Sequence, residues 1–246
     1  MAAIHEQYVD EMRHQFGYLA AWLPGTSVAL GDVGVLDGRR FSAHTSLAAL
    51  GVGFTSQPAR TVSDLEYASA GQVDVEWHGR GSLLSGVPVG VDGRVTVSFK
   101  RSHATFFQAS GCATRAIADL PAVEQALIDL GRVKWRREWV VVTEVVKAQS
   151  AAVIVSSRSG GRLDLRLQGG GDGGSLAALA SRLQVASEAG IAARVLTTSG
   201  LTPLFRVCQL RGGLVRRMTL VYRGQEEASD AHPGGVDLAL GEVESP

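Results

Sequence analysis

The chain has 246 residues, 45% of them hydrophobic and 20% charged, so it can bury a sizeable core and is not globally disordered. Its formal net charge of zero excludes a uniformly basic or acidic protein. With 30 glycines, 6% aromatic residues and two cysteines, the composition favours a β-rich fold with many turns and excludes a disulfide framework.

Residues 3–22 have the pattern of an amphipathic helix, which Pro24-Gly25 is expected to end. Apolar side chains recur every four residues on one face: Ile4, Tyr8, Met12 and Phe16. The polar face carries acids as well as bases, so we expect this helix to pack on the core. No apolar run approaches the ~20 residues of a membrane-spanning helix, and the first six residues show no secretory signal.

A β-hairpin and two short helices are predicted along the chain. Two strand-like runs, 28–36 and 39–41, flank Asp37-Gly38, which is a strong signal for a tight hairpin turn. Short helices are expected over Ser46–Leu50 and over Ala122–Gly131.

Residues 72–100 form the first of two long units in which apolar and polar residues alternate. The apolar positions lie on either side of a middle stretch, 79–93, that is interrupted by Gly, Ser and Pro. They are Val73, Val75, Trp77, Val95, Val97 and Phe99. A period of two gives a strand one apolar face and one polar face.

The second unit spans residues 139–168. Its first part, Trp139–Val146, is almost continuously β-branched and is typical of a buried strand. The later apolar positions of the unit are Val153, Val155, Leu163, Leu165 and Leu167. A basic patch interleaved with two tryptophans lies where the unit begins: Arg132, Lys134, Arg136 and Arg137.

The last third predicts one more helix and three strands. After the glycine-rich stretch 169–174, Ser175 is expected to cap a helix that runs to about Ala189 and stops at Gly190. Strands are predicted at 194–198, 204–210 and 214–222. The expected fold class is α+β, with a twisted, mostly antiparallel central sheet, an N-terminal helix and several short peripheral helices.

Charge is distributed unevenly near the C-terminus. Residues 194–223 contain six arginines and no acid, whereas residues 225–246 contain six acids and no Lys or Arg. Without those 22 residues the chain has 24 basic and 18 acidic residues, a net charge of +6. This layout predicts a tail that competes with an anionic partner for the body, although a solvated terminus fits it too. Three apolar tail residues spaced two apart would let the tail dock as an edge strand: Val236, Leu238 and Leu240.

No motif for catalysis, metal binding or cofactor binding is present. The sequence lacks a nucleophile elbow, a phosphate loop and a His-Glu-x-x-His pair, and its six histidines have no metal-ligand spacing. We therefore expect no enzyme, no metal and no cofactor. The basic patch has a pattern seen in nucleic-acid binding, but solvated residues at a strand entrance explain it more simply, so no nucleic-acid partner is expected.

Two segments resemble strands of the gasdermin pore-forming domain. Residues 139–150, WVVVTEVVKAQS, are similar to a strand of the type VVTEV, and residues 199–210, SGLTPLFRVCQL, resemble a later strand of the type SGST-x-x-FRVAQL. The two segments occur in the same order and at a similar separation as in that family. In outline the resemblance extends over most of residues 1–224.

The resemblance implies a gasdermin-like pore-forming domain at residues 1–224 and a short acidic autoinhibitory tail at 225–246, as in bacterial members of the family. An activating protease would cut the cytoplasmic protein near Arg223 and Gly224 or after Asp230. The freed domain would form a homo-oligomer and insert β-hairpins from about 72–104 and 139–168 into the inner membrane. The resulting pore would cause cell death in antiviral, anti-phage defence.

The alternating units suit that role because the wall of a transmembrane β-barrel has one lipid face and one wet face. The chain departs from the family in two ways: positions 2–6 lack the acylated cysteine of many bacterial relatives, and the first helix is not basic. Initial attraction to acidic or neutral lipids is therefore expected from the basic patch and from arginines that the tail masks. The alternative is a soluble β-rich binding module whose acidic tail docks a protein partner.

Overall fold

A computed structural model describes residues 4–23, 25–78, 83–84, 87–88, 93–168, 175–197, 201–212 and 218–222. The elements of these ranges are, in chain order, α1 (Ile4–Phe16), β1 (Leu19–Ala20), β2 (Asp32–Asp37), β3 (Arg40–Ser46), β4 (Arg60–Thr61), β5 (Leu65–Ala68), β6 (Val73–His78), β7 (Leu83–Leu84), β8 (Val87–Pro88), β9 (Arg94–Phe99), β10 (Thr105–Ser110), β11 (Ala113–Ala116), α2 (Leu120–Lys134), β12 (Trp139–Ala148), β13 (Ser150–Ser156), β14 (Gly161–Leu167), a 3-10 helix (Ala180–Arg182), β15 (Leu183–Ala189), β16 (Ile191–Thr197), β17 (Leu201–Gly212) and β18 (Met218–Tyr222).

The described strands form three main sheets, and every pairing between them is antiparallel. The central sheet contains β4, β11, β12 and β17, with β1, β2, β3 and β18 added to it. The middle sheet has the order β16-β13-β10-β5, and the outer sheet has the order β15-β14-β9-β6. Strands β7 and β8 pair with each other. The structure is therefore α+β with mostly antiparallel sheets, as expected.

Four segments of the chain run through all three sheets side by side. They are residues 60–78, 94–116, 139–167 and 183–212. Each segment contributes one strand to the outer, middle and central sheets, and the neighbour relations are the same at every level. The three sheets are thus three levels of one four-stranded antiparallel ribbon that is folded back on itself.

The fold between the outer and middle sheets is made by four short corners, at residues 69–72, 100–104, 157–160 and 190. One residue in each corner has a positive φ: 65° at Gly71, 63° at His103, 73° at Gly160 and 63° at Gly190. Glycine adopts this left-handed conformation readily, whereas a histidine does so at some cost. Because all four segments turn at the same level, the outer sheet can lie against the middle sheet as one unit.

The two inner strands of the middle sheet, β10 and β13, are buried on both faces. Toward the outer sheet, Phe106 and Ile154 share a core with the apolar residues of β9 and β14. Toward the central sheet and α1, Phe107 and Val153 share a second core with Tyr8 and other residues. Every residue of β13 is buried as a result, which explains why this stretch reads as a continuous apolar run. A third core lies between α2 and the central sheet.

Two helix predictions near the N-terminus are wrong: the first helix ends earlier than predicted, and the second does not form. Helix α1 ends at Phe16, not near residue 22, because Gly17 has a φ of 71° and its N–H donates to the Arg13 carbonyl at 2.8 Å. The chain then forms β1, which pairs with β17. Ser46–Leu50 is not a helix, since Ser46 ends β3 and a turn follows in which the Leu50 N–H donates to the Ser46 carbonyl.

The helix predicted over 175–189 is also wrong. Only the 3-10 turn Ala180–Arg182 is helical, and Leu183–Ala189 is strand β15, which pairs with β14. The apolar residues that suggested a helix, Leu176, Leu179 and Leu183, are still buried. Without β15, strand β14 would be the edge of the outer sheet. Pairing between β14 and β15 satisfies the backbone groups on that side of β14, so tertiary context overrides the helical spacing.

Several other predictions are confirmed with shifted bounds. The hairpin forms between β2 and β3 with Asp37 opposite Arg40, and the later strands lie at β16, β17 and β18. Helix α2 is longer than predicted and has a break at Gly131, and the Asp119 side chain accepts a hydrogen bond from the Ala122 N–H at its start. The tail, residues 225–246, lies outside the described residues.

Gly34 is expected to be intolerant of any side chain. Strand β2 is sandwiched there between β12 and β3, and a Cβ at Gly34 would lie 1.9 Å from the Ser42 carbonyl oxygen. We predict that Gly34→Ala lowers the free energy of unfolding by about 1–3 kcal/mol or more, measured by urea denaturation, because backbone must move. Gly53→Ala is the control, since nothing lies within 4 Å of its Cβ; equal losses in both variants would contradict this packing.

Candidate functional site

The outer sheet brings the alternating residues of the two units onto one face. Val75 lies opposite Val97, and Leu163 lies opposite Val97 on its other side. Paired residues of an antiparallel sheet point to the same face, so the apolar positions of three strands form one continuous surface: Val73, Val75 and Trp77 of β6, Val95, Val97 and Phe99 of β9, and Leu163, Leu165 and Leu167 of β14.

This apolar face is turned inward. Val95, Val97, Leu163 and Leu165 are each 0% exposed, and they pack on the middle sheet in a shared core. Removing a large aliphatic or aromatic side chain from water is worth about 1.5–3 kcal/mol. In water, the outer sheet is therefore held on the middle sheet by the hydrophobic effect.

In the folded protein the second unit, which was expected to supply a membrane-inserting β-hairpin, is not a pair of adjacent strands. Residues 139–167 form three successive strands, one in each sheet, and β14 pairs with β9 and β15 rather than with β13. Val153 and Val155 belong to the core beneath α1, whereas Leu163, Leu165 and Leu167 belong to the core of the outer sheet. The second hairpin of the outer sheet is β14–β15, connected by residues 168–182.

A polar network ties the four outer strands together on the solvent face. The Asp164 carboxylate accepts hydrogen bonds from the Thr96 hydroxyl at 2.7 Å and from the Ser187 hydroxyl at 2.6 Å. Arg162 also forms an ion pair with Asp164 at 3.1 Å. These contacts link β9, β14 and β15, and the Lys100–Asp74 ion pair at 3.0 Å links β9's end to β6. The outer sheet is amphipathic and internally cross-linked.

Two further contacts hold the outer sheet closed. Leu176, Ala177 and Leu179, in the segment before β15, are buried in the core between the outer and middle sheets. At the sheet edge, Glu188 of β15 and Arg194 of β16 form an ion pair at 2.8 Å across the Gly190 corner. A partly exposed pair of this kind is worth only ~0–1 kcal/mol, so the apolar contacts dominate.

Helix α1 and its flank cover the opposite face of the middle sheet. Tyr8 and Met12 are fully buried, and burial raises the pKa of Tyr8. After the helix, the Tyr18 hydroxyl donates to Glu144 at 2.6 Å, and the Arg206 guanidinium pairs with the same carboxylate at 3.1 Å. The guanidinium also lies 4.2 Å from the centre of the Tyr18 ring. These contacts fasten α1 to β12 and β17.

The basic patch lies away from the outer sheet, at the start of β12. Lys134, Arg136 and Arg137 are exposed, and Arg132 lies in α2. The patch is built on Trp135, which is buried and makes an edge-to-face contact with Trp139 at 5.6 Å. The Arg136 guanidinium lies 5.5 Å from the Trp139 ring centre.

The structure describes only some of the residues that were expected to contact the tail. Arg194 and Arg206 belong to the arginine-rich tract that was expected to receive the tail, but they are paired with Glu188 and Glu144 within the body. The expected cleavage and docking residues lie outside the described residues: Arg223, Gly224, Asp230, Val236, Leu238 and Leu240.

A scan against protein-family models finds no match for the chain, and a search of the curated proteins finds none either. The gasdermin resemblance therefore stays a prediction from residues 139–150 and 199–210. These two segments supply neighbouring strands, since β12 pairs with β17 from Val140 opposite Gln209 to Ala148 opposite Leu201. Within the described residues, no helix is both long enough and apolar enough to cross a membrane.

Sequence reasoning missed three contributors to this site: strands β10 and β15 and the burial of Ile154 against the outer sheet. A signal for β15 was present, because Gly190 separates two runs, 183–189 and 191–197, that each suit a strand. Strand β10 is buried on both faces and shows no alternation.

The Asp164 network should be a measurable source of stability. In Asp164→Ala, the Thr96, Ser187 and Arg162 side chains lose their shared acceptor. We expect the free energy of unfolding in urea to fall by about 1–2 kcal/mol. Asp74→Ala is the matched control, because it removes only an exposed ion pair with Lys100 and should cost at most ~0.5 kcal/mol. Equal effects would show that the network does not stabilise the sheet.

Proposed function

We propose that this chain is an autoinhibited pore-forming protein that resembles the gasdermins. The observation that carries the proposal is the outer sheet: the apolar residues of β9 and β14 are buried against the middle sheet and those of β6 are partly buried, and the other face is polar and carries ion pairs. Four short corners join it to the rest of the molecule. In the proposed active form, the outer sheet swings off the middle sheet and places its apolar face against lipid.

Membrane insertion would make oligomerisation obligatory. The outer sheet has two edge strands, β6 and β15, and unpaired backbone groups at an edge cannot be tolerated in hydrocarbon. In the pore, β6 of one copy pairs with β15 of the next, so that a closed ring has no edge. The homo-oligomer then carries a continuous apolar belt outside and the polar network inside.

The hairpins must also become longer. Strands β6 and β9 have six residues each and β14 and β15 have seven, whereas a tilted transmembrane strand needs about 9–11. Pairing of Leu83 with Pro88 and of Leu84 with Val87 already lies near the turn of the first hairpin. The second hairpin lengthens by recruiting residues 168–182, whose buried leucines then become available to lipid.

The acidic tail is the proposed inhibitor. A protease cut near Arg223 and Gly224 removes six acids and leaves a body with a net charge of +6, whereas a cut after Asp230 removes three acids and leaves a net charge of +3. The cytoplasmic protein then approaches acidic or neutral lipids of the inner membrane through Arg132, Lys134, Arg136 and Arg137. The outcome in the cell is death of the infected host in anti-phage defence.

Cleavage of the tail should switch on membrane permeability. We insert a recognition site for a sequence-specific protease between Gly224 and Gln225 and add the full chain to dye-filled liposomes of neutral or acidic lipids. Dye release is expected only after the protease is added, because the tail has then been removed. The control carries the same insertion with its scissile residue replaced, so that it stays uncut.

Leakage from the uncut protein would contradict autoinhibition. An absence of leakage after complete cleavage, in both lipid mixtures, would contradict the pore-forming proposal and favour the binding-module alternative.

Locking one corner should block the pore. Glu188 and Arg194 lie on opposite sides of the Gly190 corner with their charged atoms 2.8 Å apart. We first remove the native thiols with Cys112→Ala and Cys208→Ala. Glu188 and Arg194 are then each replaced by cysteine and joined with a short thiol cross-linker that contains a reducible bond. Leakage after tail cleavage is expected to fall at least about tenfold and to return after reduction, because the cross-link holds β15 against β16.

The matched control cross-links cysteines at Asp74 and Ser98, which lie opposite each other on β6 and β9 within the outer sheet. This link does not span the corner and should leave leakage unchanged. If the corner cross-link also leaves leakage unchanged, the outer sheet does not separate from the middle sheet.

A further inference from the structure

The charges on the polar face of the outer sheet are paired at one end and unpaired at the other. Near the corners, Lys100 pairs with Asp74 and Arg162 pairs with Asp164. At the far end, next to the hairpin turns, Arg94 lies directly opposite Arg166. His78 lies opposite Arg94 on its other side, and Gln184 lies opposite Arg166.

Two arginines directly opposite each other destabilise the sheet, because like charges across a strand pair repel. Both side chains are exposed, and no acidic side chain of the described residues forms an ion pair with either of them. The nearby Glu76 carboxylate is 3.4 Å from His78. The row formed by Arg94 and Arg166 therefore concentrates positive charge that no acid of the described residues neutralises through an ion pair.

We propose that Arg94 and Arg166 of every copy form a ring of positive charge inside the pore and make it selective for anions. This inference rests on the pore-forming function proposed above. Alternation fixes the direction: Arg94 precedes Val95 and Arg166 follows Leu165, both of which lie on the buried apolar face. When that face meets lipid, the two arginines face the aqueous lumen.

The rest of the lumen face offsets the row only in part. Lys100 and Arg162 against Asp74, Glu76 and Asp164 give a net charge of −1, so that with Arg94 and Arg166 each copy carries +1 with histidine neutral. The two hairpin turns are neutral in sequence, since residues 79–93 contain Arg80 and Asp92, and residues 168–182 contain Asp172 and Arg182. Repetition around a ring multiplies this excess, and rings of basic side chains select anions.

The test is the reversal potential of the open pore in a planar bilayer under a potassium chloride gradient. The full chain with the inserted protease site is cleaved in place, so the native body is used. We expect a chloride-to-potassium permeability ratio on the order of 2–5 for the unsubstituted protein. Arg94→Gln together with Arg166→Gln changes the lumen charge of each copy from +1 to −1 and should lower the ratio to 1 or below, and the corresponding pair of Glu substitutions should lower it further.

The control is Arg60→Gln with Lys147→Gln, which removes two exposed bases of the central sheet and should leave the ratio unchanged. A pore without anion preference, or one whose preference survives the Arg94 and Arg166 substitutions, overturns the inference. Failure to conduct at all is a different result, because it counts against the pore-forming function itself. Since both residues are exposed and repel one another, their replacement should not prevent folding.

Discussion

The contact between the outer and middle sheets is the constraint on which the rest of the structure depends. The inner strands of the middle sheet, β10 and β13, carry apolar side chains on both faces, so they need the outer sheet on one side and the central sheet with α1 on the other. Separating the outer sheet exposes Val97 and Leu163 and also their partners Phe106 and Ile154. In water that separation is strongly unfavourable. Under the proposed function, lipid and neighbouring copies would replace the lost contacts.

The four corners all lie between the outer and middle sheets, so the ribbon folds back there as one unit. All four segments turn at a left-handed residue, and the corners are hydrogen-bonded to each other, for example from the Ser157 N–H to the Gly190 carbonyl at 2.9 Å. The closed arrangement is therefore well defined rather than loose. A change that opens one corner must open its neighbours, because the four outer strands remain paired and three of them, β9, β14 and β15, are also joined through Asp164. This coupling suits an all-or-none switch.

The sequence predicts three of the four outer strands, β6, β9 and β14, because only one of their faces is buried, which leaves a period of two at Val73, Val75 and Val95, Val97. It does not predict β10, since burial on both faces removes that signal. It gives a helix for β15 because Leu176, Leu179 and Leu183 are spaced three and four residues apart, although the first two precede the strand. Register is the larger gap. Which strand lies beside β14, and that Arg94 faces Arg166, depend on pairings between distant segments that no local pattern encodes.

The central claim is that the outer sheet leaves the middle sheet, and the distance between labels on β15 and β16 tests it most directly. Spin labels at Gln184 and Thr197 lie on strands that lead to and from the Gly190 corner. Packed sheets are ~10 Å apart, and thirteen extended residues span at most ~43 Å. The account predicts a short distance in the uncut protein and one beyond ~25 Å after cleavage on liposomes. A distance that stays short while the liposomes leak would contradict it.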